Sequence, residues 1–194
     1  MSKNIYVLDA SPYKSVFGTD LAKEYAREAR EGGHTVRLVH LRSLDFDPVL
    51  KNGYKVVQEL EPDLAEQQQN LEWCDHWVIV TPVWWEAVPA KLKGLFDRTL
   101  LPGFAFDMHM DSLLPGWEKR LSGRSARVIY TQTIPGWYAF WVRNDAFYHS
   151  LKQGTLAFVG LSPIKRTALN VRNASESTKD RYLDIVRRLG RRGV

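Results

Sequence analysis

Residues 76–99 read HWVIVTPVWWEAVPAKLKGLFDRT, and the order of elements in this stretch decides the fold. His76 to Thr81 is an unbroken run rich in strand formers, and Pro82 ends it. Pro89 opens a helix at its first turn, where proline's missing N–H costs nothing. Leu92, Leu95, Phe96 and Thr99 then give the i, i+3, i+4, i+7 stripe of an amphipathic helix. A strand apolar on both faces, followed by a helix with one apolar face, is half of a βαβ unit with a parallel sheet at its centre.

Outward from this stretch the alternation repeats. Upstream, Asn4 to Asp9 reads as a strand, Ala10 to Gly18 as a loop, and Thr19 to Glu31 as a helix with Leu21, Tyr25 and Ala29 on one face. Gly32-Gly33 stops that helix, and His34 to Leu41 reads as a second strand. Arg42 to Pro62 is irregular, with turn signals at Asp47-Pro48 and Asn52-Gly53, and Asp63 to Cys74 reads as a helix with Leu64, Leu71 and Cys74 inward. Downstream, Leu101 to Ser125 is a loop-rich insertion, Ala126 to Thr131 a fourth strand, and Gln132 to Val142 an aromatic loop. Phe147, Leu151 and Phe158 mark the inner face of the next helix. Ser162 to Val171 holds a fifth strand, and Ser175 caps a last helix with Tyr182, Ile185, Val186 and Leu189 as its stripe.

The pattern predicts one α/β domain over residues 1–194: a five-stranded parallel sheet of order 2-1-3-4-5 with helices on both faces. In such sheets ligands sit beyond the carboxyl ends of the strands, at the switch point between the first and third. That rule singles out the loops after Asp9, Thr81 and Thr131.

Composition narrows the classes. The chain has 194 residues, 44% of them hydrophobic, enough for one sizeable core. The net charge of +5 is concentrated in the tail, at Arg181, Arg187, Arg188, Arg191 and Arg192, where cations suit a helix C-terminus. No nucleic-acid reading module accompanies it. Cys74 is the sole cysteine, predicted to be a packing thiol, and the five histidines have no zinc-like spacing, so no metal is expected. No apolar run approaches the roughly 20 residues of a membrane helix. The opening MSKNIYVLDASP lacks the organisation of a signal peptide, so a cytoplasmic protein without membrane insertion is expected.

The first loop, Asp9 to Gly18, carries Ser11, Phe17 and Gly18 into a helix start, where free N–H groups can hold a phosphate; an ordinary strand-to-helix turn fits the same residues. The second loop is Pro82-Val83-Trp84-Trp85-Glu86-Ala87. Two adjacent tryptophans cannot both turn inward from a loop, which favours contact with a planar ligand over core packing. The third loop, Gln132-Thr133-Ile134-Pro135, can bond the polar edge of a ring or be a plain turn. Gln68 stands on the helix stripe between Leu64 and Leu71 where an apolar residue is expected, which suits either a ligand contact or a partly exposed side chain.

Thr81-Pro82-Val83-Trp84-Trp85, then Val88 to Arg98, then Gly103-Phe104-Ala105-Phe106, closely resemble the flavodoxin-like NAD(P)H:quinone oxidoreductases, the family of DT-diaphorase. The resemblance covers nearly the whole chain and implies a flavodoxin-like three-layer sandwich. It implies non-covalent FMN or FAD, NAD(P)H as electron donor, hydride transfer through the flavin to a quinone-like acceptor, and a homodimer with flavin sites at its interface. It assigns flavin contacts to Ser11, Phe17, Gly18, Gln68, Pro82, Val83, Trp84, Trp85, Glu86, Ala87, Gln132, Thr133, Ile134 and Pro135. Phe106 and Met108 match positions that close the substrate pocket from the partner subunit, and Tyr138 stands for a catalytic tyrosine. Val16-Phe17-Gly18 lacks the family's loop serine unless Ser15 takes its place, Gln132 to Pro135 replaces a Thr-Thr-Gly-Gly, and the nearest residue to a family histidine is Arg143. A regulatory flavoprotein of a transporter and an azo- or nitro-reductase are the alternative roles.

Overall fold

The structure is a computed structural model, and it describes residues 1–14, 16–109 and 116–194, with the backbone alone at position 109. Ser15 lies outside the described residues. Among the described residues seven strands and five α-helices run in the order β1 Asn4–Asp9, α1 Phe17–Glu31, β2 Thr35–His40, α2 Pro62–Trp73, β3 His76–Pro82, α3 Ala90–Thr99, β4 Phe106–His109, β5 Gly116–Lys119, β6 Ser125–Gln132, α4 Ala146–Leu151, β7 Ile164–Asn170 and α5 Glu176–Arg191. Five of the strands form one parallel sheet of order β2-β1-β3-β6-β7, which is the predicted 2-1-3-4-5.

Both faces of the sheet are buried. Ile5, Val7, Val78, Val80 and Ile129 pack against Leu21, Tyr25 and Ala29 of α1 and Val186 of α5. Tyr6, Leu8, Trp77, Ile79, Val128 and Tyr130 pack on the other face with Leu64 and Leu71 of α2, Leu92 and Phe96 of α3, and Phe147 and Leu151 of α4. This double burial is why β1, β3 and β6 read as continuous apolar runs. Helices α1 and α5 cross closely: a Cβ on Gly190 would lie 2.5 Å from the Tyr25 carbonyl oxygen. Ser175 does cap α5, accepting from the Thr178 N–H at 3.3 Å.

Several elements differ from the expectation. Helix α1 starts two residues early, at Phe17. Helix α2 stops at Trp73, so Cys74 caps it, although its thiol is buried and pushed up to about 12 by that burial. Only Leu64, Gln67, Asn70 and Leu71 of α2 are fully buried. The inner glutamine is therefore Gln67, which accepts from the Tyr6 hydroxyl at 2.7 Å, and Gln68 stands at the flank of the stripe. The stretch read as an insertion holds the antiparallel pair β4–β5. The helix expected to reach Phe158 ends at Leu151 and widens into a π-helical turn, Lys152–Leu156. Phe158 thereby leaves the helix and stacks on Trp117, with ring centroids 4.8 Å apart.

Candidate functional site

Register brings the chemistry to one edge. Asp9 pairs with His40 on one side and Val80 on the other, Pro82 with Thr131, and Gln132 with Asn170, so the loops after β1, β3 and β6 leave the sheet side by side. The first loop and the ends of β3, β6 and β7 line a cavity of about 240 Å³ with Ser11, Pro12, Tyr13, Val16, Phe17, Gly18, Pro82, Thr131 and Val171, while Glu86 and Ala87 of the second loop line a separate one of about 180 Å³ with Lys93 and Phe147. Ser11, Phe17, Gly18 and Pro82 are thus brought together with Tyr13 of the first loop and Thr131 of β6, and Val171 joins them unannounced by the sequence.

The first loop is built around a buried carboxylate. Asp9 accepts from the Ser11 N–H at 3.1 Å, Thr19 Oγ1 at 2.9 Å, His40 Nδ1 at 2.8 Å and Arg42 Nη1 at 2.7 Å. Burial pushes the Asp9 carboxyl up, and the hydrogen bonds from Ser11, Arg42 and His40 more than reverse it, leaving the group below its ordinary value. Sequence reading missed this network. Its signal was an acidic residue at the end of an apolar strand, with His40 ending the neighbouring strand and Arg42 two residues beyond it.

Two features leave room for an anion here. Ser11 Oγ is buried and makes no well-formed hydrogen bond, although it lies close enough to the Asp9 carboxylate to help lower its pKa. Val16 is the N-cap of helix α1 and offers no side-chain cap, so the first-turn N–H groups have no side-chain acceptor. Gly18 is required for the approach, since a Cβ there would lie 2.8 Å from Ser11 Oγ. Hydroxyl, helix start and glycine cradle fit the phosphate of a nucleotide-like group. The Arg42 guanidinium neutralises Asp9 beside it.

The second loop is a two-residue turn. Trp84 and Ala87 exchange both backbone bonds, at 3.0 and 2.8 Å, and the two residues between them have positive φ, Trp85 at 52° and Glu86 at 56°. That is the type I′ sense, normally left to Asn and Gly. The turn holds Trp85 fully in solvent at 100% exposure, with Trp84 at 44%. Val83 is tied back by its N–H to the Thr131 carbonyl at 2.9 Å. In the third loop the Gln132 and Asn170 amides both donate to the Ile134 carbonyl, at 3.3 and 2.9 Å, so Gln132 shapes the loop from within. Thr133 is exposed and Ile134 and Pro135 half-buried, and Ala139 N–H donates to Pro135 at 3.0 Å to start a π-helical turn, Tyr138–Val142. Tyr138, Phe140 and Trp141 stand exposed on it.

One ion pair joins the second and third loops. Arg143 Nε and Nη2 donate to the two Glu86 carboxylate oxygens, both at 2.6 Å. The Arg143 fork holds the Glu86 carboxyl below the usual carboxylate range.

Gln68, Phe106 and Met108 are not brought to this cavity within one chain. Gln68 donates to the Thr99 carbonyl at 2.9 Å. Phe106 and Met108 line a separate apolar cavity of about 520 Å³ with Tyr54, Phe96, Leu100 and Phe158. Among the described residues no cluster of His, Cys, Asp and Glu could hold a metal, and no helix is long and apolar enough to cross a membrane.

Comparison with known proteins agrees with this architecture. A family profile described as flavodoxin-like fold matches residues 3–189. The chain is 27% identical to the mouse protein named ribosyldihydronicotinamide dehydrogenase [quinone], over 90% of this chain and 85% of that one. Among solved structures it is similar to an NAD(P)H:quinone oxidoreductase from Methanothermobacter marburgensis, with a TM-score of 0.85 at 22% identity and all of both chains covered. An FMN-dependent NADH-azoreductase from Bacillus anthracis, solved in complex with FMN, superposes with a TM-score of 0.77 at 17% identity, over 99% of each chain. With the sheet order, the switch-point cavity and a profile spanning nearly every residue in agreement, the chain belongs to the family of the flavodoxin-like fold.

Proposed function

We propose that the chain is a one-domain, flavin-dependent oxidoreductase that passes electrons from NAD(P)H to a quinone-like acceptor. One observation carries the reading: the buried Ser11 hydroxyl, which makes no well-formed hydrogen bond, lines a cavity at the carboxyl ends of the central strands β1, β3 and β6. A buried hydroxyl left unpaired costs about 1–3 kcal/mol, and a phosphate oxygen in that cavity removes the cost. The aromatic rim above it and the names of the relatives support the same reading.

A bound FMN or FAD would supply two-electron redox chemistry between the nicotinamide donor and the acceptor. The chain binds and orients. Ser11 would hold the phosphate by its hydroxyl, and the amides of Phe17 and Gly18 would add the favourable end of α1. The turn from Pro82 to Ala87 and the loop from Gln132 to Pro135 flank the ring, and Trp84 and Trp85 offer it flat surface and exclude water. Tyr138, at the rim, holds a proton or hydrogen bond for the acceptor. A second copy of the chain brings Phe106, Met108 and Gln68 towards the ring, and sedimentation at twice 22.4 kDa checks that part.

The test titrates the purified chain with FMN and, separately, FAD, following flavin fluorescence, then adds NADPH without oxygen and a quinone. We expect saturable binding of one flavin, loss of its visible absorbance on NADPH, and recovery on quinone. Ser11→Ala is expected to weaken flavin binding about tenfold while leaving thermal unfolding in place. Absence of flavin binding in the wild type would end the reading.

A further inference from the structure

The second and third loops carry exposed aromatic side chains, and the two opposite charges that face each other across them are paired. Trp84, Trp85, Tyr138, Phe140 and Trp141 are all exposed there. Glu86 and Arg143 share a two-pronged bond at 2.6 Å that spans the gap between the second and third loops. Asp145 is held by Arg166, and Lys93 by Asp97 at 2.6 Å. Glu86 lies in the strained turn that displays Trp85, and Arg143 follows the π-helical turn that displays Tyr138 and Trp141. Both partners are partly in solvent, with side chains 33% and 50% exposed, so a ligand arriving between the loops meets their charges directly. The fork–fork pair engages the Nε and Nη2 donors and sets the carboxylate's charge against the guanidinium's.

We propose that the Glu86–Arg143 pair is a neutralising filter at the mouth of the acceptor site: each charge cancels the other, so uncharged planar acceptors enter without the preference for one sign of charge that either residue alone would impose. The filter rests on the oxidoreductase reading and assigns it a substrate class. Glu86 and Arg143 are specificity residues that act by cancelling one another. Freeing either charge gives the mouth a sign. An exposed arginine attracts an anionic acceptor, and an exposed glutamate repels it, both weakened by salt.

The experiment compares menadione with a naphthoquinone sulfonate in the wild type, Glu86→Gln, Arg143→Gln and the double variant. Two quantities are read: the ratio of kcat/KM for the two quinones, and the ratio of their dissociation constants from quenching of protein tryptophan fluorescence, with no nicotinamide present. Glu86→Gln is expected to shift both ratios about tenfold towards the sulfonate. Arg143→Gln is expected to shift them about tenfold the other way, and the double variant to return within about twofold of the wild type. Raising the salt should shrink both single-variant shifts. Ratios that stay fixed while both quinones weaken together would reduce the pair to a tether between loops and overturn the filter. A double variant that fails to return would overturn it as well. A wild type that binds no flavin or reduces neither quinone fails the oxidoreductase reading instead, and the binding ratio still tests the filter.

Discussion

The two sides of the sheet are assembled by opposite means. On one side α1 and α5 are regular amphipathic helices in close contact, laced at the surface by Arg187 to Glu24 and by Arg191 to Glu28 and Glu31. On the other side α2 and α3 carry an irregular segment, residues 44–61, fixed by one wholly buried guanidinium. Arg98 donates to the Asp47 carbonyl at 2.6 Å, the Glu59 carbonyl at 2.8 Å and the Glu61 carboxylate at 2.7 Å. One residue type thus does two jobs. In solvent it decorates helices that packing already holds, and in the interior it supplies donors that the irregular backbone itself lacks.

The largest expected effect follows from that contrast. Arg98→Met keeps much of the buried volume but strands two carbonyls and the Glu61 carboxylate. We expect a loss of about 3 kcal/mol in urea unfolding, with proteolysis first appearing within 44–61. A loss below 1 kcal/mol would put the two arginine systems on an equal footing and dissolve the comparison.

The next effect sharpens it from the α1–α5 side. His76 is 3% exposed, its Nδ1 bonded to Ser125 Oγ at 2.8 Å and its Nε2 unpartnered. Burial, then the charges of Lys3 and Arg127, lower its pKa to about 3. The unfolded imidazole takes a proton near pH 6.5 and the folded one does not. Stability is therefore lost as pH falls below 6.5, by about 1.4 kcal/mol per unit and so about 2 kcal/mol by pH 5. Asp9 adds its own loss only at lower pH, since its folded pKa lies beneath the ordinary carboxylate value. His76→Leu should flatten the slope between pH 6.5 and 5 in urea unfolding, and an unchanged slope would remove His76 as its source.

The same contrast explains what the sequence disclosed. β1, β3 and β6 are buried on both faces, and α1 and α5 on one, so their hydrophobic periods survive in the sequence and gave the sheet order and the three switch-point loops. Elements whose residues answer to distant partners left no period. β4 and β5 are four residues each, and the described parts of both carry charged or polar residues held by Arg120 to Asp107 and by the Trp117 indole bond to the Phe158 carbonyl. Gln67 and Gln68 are adjacent, and only the fold reveals which one the Tyr6 hydroxyl meets. The loop positions of Ser11, Gly18 and the Trp84-Trp85 pair were legible because the strand ends on either side of them were. The Asp9 network needed the β1–β2 register, and the Glu86–Arg143 pair joins residues 57 apart in sequence.

The smallest expected effect tests the decorative side. Arg191 bonds Glu28 at 2.9 Å and Glu31 at 3.0 Å, but its side chain is 61% exposed and pays rotamer entropy to be held. Exposed pairs of this kind contribute little, and salt screens what they contribute. Beneath them the contact of α1 with α5 is set by Gly32 and Gly190, where a Cβ would meet backbone at 2.3 and 2.5 Å. Arg191→Ala is therefore expected to cost about 0.5 kcal/mol in urea unfolding at low salt and less at high salt. A cost above 2 kcal/mol that persisted at high salt would mean that the arginine packs the helix pair through its aliphatic stem, and the division between the two sides of the sheet would have to be drawn by contact area instead of by charge burial.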